Sequence, residues 1–424
     1  MDGEIKRILA NVAQQHGTPS YVYLAKEIRQ RVLQLREAFG ERFEISYAAK
    51  ANPNTALLKL LQGLGLRLDV SSVGEMQRGL NAGFAANDIG FTGPAKREFE
   101  LRLAIRRGIG EIICESPDEI EEVNAIASEL GIVQPIVLRI NPSEVPRKFG
   151  LQMAGRSSQF GIDEENLAEL FPRLAQWSAV RCIGFHAFSV GNSLDEEAVI
   201  ENLSDLAGMF TRFSGEFSFT PQKFIFGSGF GIPYFDGDEK LDVGKVAAGI
   251  NPLLDGIRLQ DAFRQTVFGL EMGRWLVGTA GYMLTSVVRC KSSRGREIRM
   301  CDAGFNNHLN AAGMMGTIMR RDWRFWNLDA GEGEEDGDYM LVGPLCASFD
   351  VLGSSVSLPR VEKGDVIAVG SSGAYGLTAS PTRFISHPEP GEYLVHEVDG
   401  EARVEDVTES SLNHPESLTI TMSR

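Results

Sequence analysis

Cysteine is scarce in this chain. Its 424 residues contain five, Cys114, Cys182, Cys290, Cys301 and Cys346, scattered with no CxxC spacing. An odd, sparse set excludes a disulfide framework and reads as reduced thiols, which puts the protein in the cytoplasm. Positive charge is also in deficit. With 42 Lys and Arg against 57 Asp and Glu, the net charge is -15 and the pI about 5.0. Nucleic acid and anionic membranes are therefore excluded as main partners. No apolar run approaches the roughly 20 residues that span a bilayer. The opening segment, MDGEIKRILANVAQQHG, is amphipathic and lacks the basic and apolar regions of a signal peptide. No metal site is expected.

What is present is a composition able to bury a large core, 43% hydrophobic and 23% charged. The length predicts one large α/β domain and a smaller one. From residue 20 to 275 short apolar runs alternate with helical stretches. The runs are 44–50, 66–72, 88–93, 111–116, 136–141, 181–188, 223–229 and 266–272. Helical patterning covers 54–63, 73–83, 97–107, 117–130, 163–177, 195–214 and 240–262, with one leading helix at 26–38. Eight strands and that helix count match a (β/α)8 barrel, although a doubly wound sheet shares the alternation. The barrel is favoured because Lys50, His186, Gly227 to Gly231 and Glu271 fall at or just beyond strand C-termini, where barrel enzymes build their sites. After 275 the helical rhythm stops, and segments such as YMLTSVVRC, EIRMCDAG and EYLVHEVDG predict strands. The expected division is a barrel over 26–275, with a β-rich domain from 1–25 and 276–424.

Several residues carry candidate chemistry. Lys50 ends an apolar strand, and an ammonium aimed into a barrel mouth would lose solvation and free its amine for imine formation. Read alone, a strand-end lysine is more often a salt-bridge partner. The segment Gly227-Ser228-Gly229-Phe230-Gly231 follows the seventh strand, where barrels hold phosphate; its spacing is not that of a dinucleotide fingerprint. Glu271 and Arg274 close the eighth strand. A carboxylate there suits a protonated pyridine nitrogen and an arginine suits a phosphate, but an i, i+3 ion pair fits as well. Cys346, in GPLCASFD, is by itself a small buried hydrophobe.

These motifs occur in one order: YAAKANPN at 47–54, DVSSVGEM at 69–76, LRINP at 138–142, GSGFGIPY at 227–234, EMGRWLVG at 271–278, GPLCASFDVLG at 343–353 and GAYG at 373–376. In that order, from Thr18 to about Val395, the chain resembles the fold-type III pyridoxal-phosphate decarboxylases, the family of diaminopimelate, ornithine and arginine decarboxylases. The resemblance implies pyridoxal 5'-phosphate as cofactor, with Lys50 as its Schiff-base lysine. It implies phosphate binding by Gly229, Gly231, Arg274 and Tyr375, and a pyridinium partner in Glu271. Arg139 and His186 would stand near the cofactor. Cys346, from the neighbouring subunit of a head-to-tail homodimer, would protonate the carbanion, and Asp350 belongs to the same substrate-facing element.

Two departures bear on substrate. The family usually reads HxHxGS after the sixth strand; here HAFSVGN puts Phe188 where a histidine stacks on the cofactor ring, and leaves Ser189 or backbone in place of the phosphate serine. The acidic residue that follows the GPxC cysteine in diamine-forming members is Ala347, and GFNNHLNAA at 304–312 lacks the arginine that reads a distal carboxylate. The same departures mark the aminoacyl-carrier-protein decarboxylases of the butirosin type and the exosortase-associated decarboxylases. The resemblance therefore implies an α-decarboxylase acting on a carrier-tethered or distally modified amino acid. A free diamino acid, or a catalytically inactive regulatory homologue, stays open as an alternative. The stretch 319–326, MRRDWRFW, offers a docking surface for an acidic carrier domain or an ordinary amphipathic helix.

Overall fold

The computed structural model describes residues 1–143, 157–189, 191–313, 321–331 and 333–409. The chain divides into two compact units. One comprises Glu27–Pro233 with Gly237–Thr279, the other Met1–Lys26, Tyr234–Asp236 and Ala280–Arg424.

The strand β1 (Ser20–Leu24) belongs to the second unit, and the next nine belong to the first. These are β2 (Glu44–Ala48), β3 (Arg67–Val70), β4 (Ile89–Phe91), β5 (Glu111–Cys114), β6 (Gln134–Asn141), β7 (Ile162–Asp163), β8 (Val180–Ala187), β9 (Lys223–Gly227) and β10 (Val267–Met272). All pair in parallel, in the order β5-β4-β3-β2-β10-β9-β8-β6, and a β5–β6 pairing closes the ring. The two residues of β7 add to the end of β6. Eight parallel strands with a helix after nearly every one make the expected (β/α)8 barrel. Parallel strands covered on both faces need apolar side chains throughout, which is why β4, β5 and β9 are buried along their whole length. Ile113, Val137, Ile183 and Ile225, from β5, β6, β8 and β9, form one buried cluster. At the N-terminal end of the strands the filling is ionic: Lys223 Nζ lies 2.7 Å from Glu111 and 3.4 Å from Glu44, and Arg67 joins the same two carboxylates. That end of a barrel serves stability, leaving the other for chemistry.

The second unit is a nine-stranded sheet led by β1. It adds β11 (Gly281–Ser293), β12 (Arg296–Cys301), β13 (Phe325–Asn327), β14 (Asp336–Val342), β15 (Val351–Pro359), β16 (Val366–Val369), β17 (Gly391–Val398) and β18 (Glu401–Asp406). The strand β1 sits between β11, antiparallel, and β17, parallel. The helix Gly3–His16, capped by the Asp2 carboxylate, lays Leu9 and Val12 on this sheet against Val22, Leu284 and Val395. The pair Asp399-Gly400 turns β17 into β18 with both φ positive, 53° and 80°, as a type I′ hairpin requires.

Two strands, β13 and β15, were not expected from the sequence. Of the stretch 319–326, Met319 and Arg320 lie outside the described residues. The remainder is not helical: Phe325 enters β13, and Trp323 is buried with its ring edge-on to His308 at 4.7 Å. Among the described residues of the stretch, Trp323 and Phe325 are buried, Trp326 is half-buried and Arg321 is exposed.

Candidate active site

Lys50 lies in a short 3-10 turn, Ala49–Ala51, at the C-terminal end of β2. Its flanking alanines are buried, but Lys50 itself is exposed. The loss of solvation expected from sequence is not seen in the isolated chain, where Lys50 is exposed. Its charge reaches Asp69, Glu75 and Glu271. A cavity of ≈ 340 Å³ opens beside it, lined also by Thr92, Lys96, Arg139, Phe160 and Phe188. The Lys50 ammonium stands 5.8 Å from the centroid of the Phe188 ring.

Phe188 follows the end of β8 and has room only because residue 227 is glycine. A Cβ there would come within 2.2 Å of Phe188 Cδ2 and 3.0 Å of its Cα. On the same strand His186 is buried, and its Nε2 lies 2.9 Å from Glu271 Oε2 at the end of β10. Burial pushes the Glu271 carboxyl up; His186, Lys50 and Arg139 together outweigh that and hold it below the ordinary carboxylate range. Glu271 is accordingly a fixed anion. His186 Nδ1 is buried and has no hydrogen-bond partner among the described residues.

The glycine loop after β9 is stitched to the segment that follows β8. Ser193 N donates to Gly229 O at 2.9 Å, and Gly231 N donates to Ser193 O at 2.8 Å. A Cβ on Gly231 would meet Ser193 O at 2.6 Å, so only glycine allows the approach. The Gly231 amide is thus already taken within the loop. Ser189 is buried in the same region, and Arg274 opens the short helix Arg274–Val277 after β10.

Three expected residues lie in the other unit. Cys346 is an exposed free thiol. Asp350 is buried: Oδ1 accepts the Phe305 amide at 2.8 Å and Oδ2 the Leu345 amide at 2.9 Å, so its visible work is to shape this loop. Tyr375 adopts a positive φ of 53°, as does Ser371 at 52°, a sparsely populated conformation that clusters at functional segments.

Sequence reasoning passed over Asp69, Thr92 and Glu115. Asp69 is buried at the end of β3 and takes a hydrogen bond from Thr92 Oγ1. Burial, then the Glu271 charge, raises its carboxyl well above the usual range against the opposing pull of Lys50 and Thr92. Only its place in DVSSVGEM, at a strand end, hinted at a role.

A lysine amine at the cavity, an aromatic face beside it, and a buried anion held ionised nearby suit pyridoxal phosphate: aldehyde capture, ring packing and a partner for the ring nitrogen. The comparisons agree. Residues 25–278 match the pyridoxal-binding domain of the pyridoxal-dependent decarboxylases. The chain belongs to that family. It is 32% identical over 381 residues to the L-glutamyl-[BtrI acyl-carrier protein] decarboxylase of Niallia circulans, covering 89% of this chain and 88% of that one. It is 34% identical over 394 residues to the diaminopimelate decarboxylase of Methanothermobacter thermautotrophicus, covering 91% and 88%. The crystal structure of Helicobacter pylori diaminopimelate decarboxylase with L-lysine superposes with a TM-score of 0.83 at 28% identity, over 95% of this chain and 96% of that one. The protein is thus a carboxy-lyase that uses pyridoxal phosphate.

Proposed function

We propose that this decarboxylase acts on an amino-acid group whose far end is tethered to an acyl carrier protein, releasing CO2 and leaving an amine. The observation that carries the reading is Ala347. A free diamino acid ends in a charge that needs a charged partner, and the residue that follows Cys346 in sequence is alanine. The segment 304–312 likewise contains no arginine. Similarity to the Niallia circulans enzyme, which acts on a carrier-bound glutamyl group, supports the same reading. The alternative, a free diamino acid, draws on the similarity to diaminopimelate decarboxylases.

In this reading Lys50 binds the cofactor aldehyde and Phe188 packs against the ring. Glu271 partners the ring nitrogen, and Arg139 and His186 stand near the ring. The glycine loop around Gly229, with Arg274 and Tyr375, surrounds the phosphate. Bound pyridoxal phosphate supplies an electron sink for the pair released as CO2 departs. The chain's own contribution is electrostatic. Glu271, held charged by His186, keeps a proton on its partner nitrogen, and Cys346 delivers one to the substrate carbon.

The decisive measurement is CO2 release from free glutamate, lysine and diaminopimelate against the same aminoacyl groups loaded on a carrier protein. Loaded substrate is expected to be favoured in kcat/KM by about 100-fold or more, the discrimination an unpaired polar group produces. Full-rate turnover of free lysine or diaminopimelate would sink the proposal.

We also propose a homodimer in which each Cys346 serves its partner's barrel. Cys346 lies in an exposed apolar neighbourhood of Phe349, 54% exposed, with Phe384 and Ile385. Mixing inactive Lys50→Ala and Cys346→Ala protomers is expected to restore about a quarter of wild-type activity, because half the dimers are mixed and each holds one intact site. No recovery on mixing would place both residues in the same protomer's site. The cytoplasm is the proposed compartment, all five cysteines being free thiols. Among the described residues no helix is long and apolar enough to cross a membrane.

A further inference from the structure

Glu115 stands one residue beyond β5, and its buried carboxylate ties three barrel loops together. Oε1 accepts the Gly93 amide at 3.0 Å and Arg139 Nη1 at 2.9 Å; Oε2 accepts the Gly161 amide at 3.0 Å. Arg139, on β6, is buried too, with its guanidinium 4.6 Å from the centroid of the Phe160 ring. One side of that guanidinium is thus fixed by a charge-assisted bond and one face by an aromatic ring. Its remaining surface lines the cavity that holds Lys50 and Phe188.

The bonds continue beyond Arg139. Gly93 adjoins Thr92, Thr92 bonds Asp69, and the charges of Asp69 and Lys50 interact. A run of hydrogen bonds therefore crosses the ends of β3, β4, β5 and β6, and Glu115 joins its last two members. Lys96 braces the same corner: its buried ammonium bonds Gly93 O and Ile113 O at 2.7 Å each, and also Glu119.

We propose that Glu115 is a positioning residue, which fixes the Arg139 guanidinium at the cavity and thereby sets the affinity for pyridoxal phosphate. A carboxylate shared by a cation and two amides has the geometry of an orienting group, since each bond restrains the others. The Arg139 charge also reaches Glu271, so its placement bears on the anion opposite the ring nitrogen. The inference rests on Lys50 holding the cofactor, and not on the identity of the substrate.

The test is a double-mutant cycle with Glu115→Gln and Arg139→Gln, read as the dissociation constant of pyridoxal phosphate added to apoprotein, with melting temperature alongside. Glu115→Gln is expected to weaken cofactor binding about tenfold, the scale of losing an orienting partner. In the Arg139→Gln background the same change should cost little, because nothing is left to position. Unchanged affinity in Glu115→Gln, or losses that multiply independently, would overturn the proposal. Glu115→Asp, which keeps the charge and withdraws it by one methylene, takes the place of the Gln variant if the latter fails to fold. If wild-type apoprotein binds no pyridoxal phosphate at Lys50, the cofactor assignment fails and the proposal with it. Rejection of free and loaded substrates alike would count against the substrate reading only.

Discussion

Lys50→Ala is expected to fold, to lose the absorbance of lysine-bound cofactor, and to turn over slower by on the order of 10³-fold or more, as removal of a covalent catalytic group does. Folding should survive because Lys50 is exposed, and the buried residues of its turn are the flanking alanines. Surface substitutions away from packed features usually change stability by about 0.5 kcal/mol or less. Activity should collapse because Lys50 is the proposed attachment point of the cofactor; Asp69, Glu75 and Glu271 are in electrostatic reach of its amine. Borohydride reduction followed by peptide mapping provides the check. Wild-type protein should carry the reduced adduct on the peptide containing Lys50, and the variant none. An adduct at Lys96, which lines the same cavity, would reassign the role. That outcome is disfavoured physically, since the Lys96 ammonium is buried and already engaged by two carbonyls and Glu119.

The barrel was legible in the sequence because parallel strands with both faces covered read as short apolar runs between amphipathic helices. The β-rich unit was legible only in part. In β15, VLGSSVSLP, serines sit among the apolar residues, and its buried positions appear only once β14 lies beside it. The strand β13 takes its first two residues from MRRDWRFW, a basic, tryptophan-bearing stretch whose sequence mimics an amphipathic helix. Within the site, Lys50, His186 and Glu271 were legible because each ends a strand of a countable series. Phe188 was visible as a change of residue, yet its dependence on a glycine at 227, on a different strand, was not. Glu115 and Asp69 could not be found in this way. Their roles come from which loops meet at the barrel mouth, and that is fixed by pairing between strands far apart in sequence.

Glu271→Gln separates charge from shape at the centre of the site. Glutamine keeps the volume and one acceptor for His186 Nε2, so the fold should hold and cofactor should still bind. What is lost is the anion. Burial alone would favour the neutral carboxyl, and His186, Lys50 and Arg139 act together to keep it ionised. A neutral amide cannot hold a proton on the pyridine nitrogen, so turnover is expected to fall about 10²- to 10³-fold, the range for removing one preorganised electrostatic group. Glu271→Ala should behave differently. It strands His186, whose Nδ1 already lacks a partner among the described residues, and takes away the partner of Nε2 as well. Breaking a buried pair from one side typically costs about 3–5 kcal/mol. The alanine variant should therefore lose stability as well as activity, measured by thermal melting beside steady-state rates. A glutamine variant as unstable as the alanine variant would show that the charge on Glu271 holds the barrel mouth together as well as serving the cofactor.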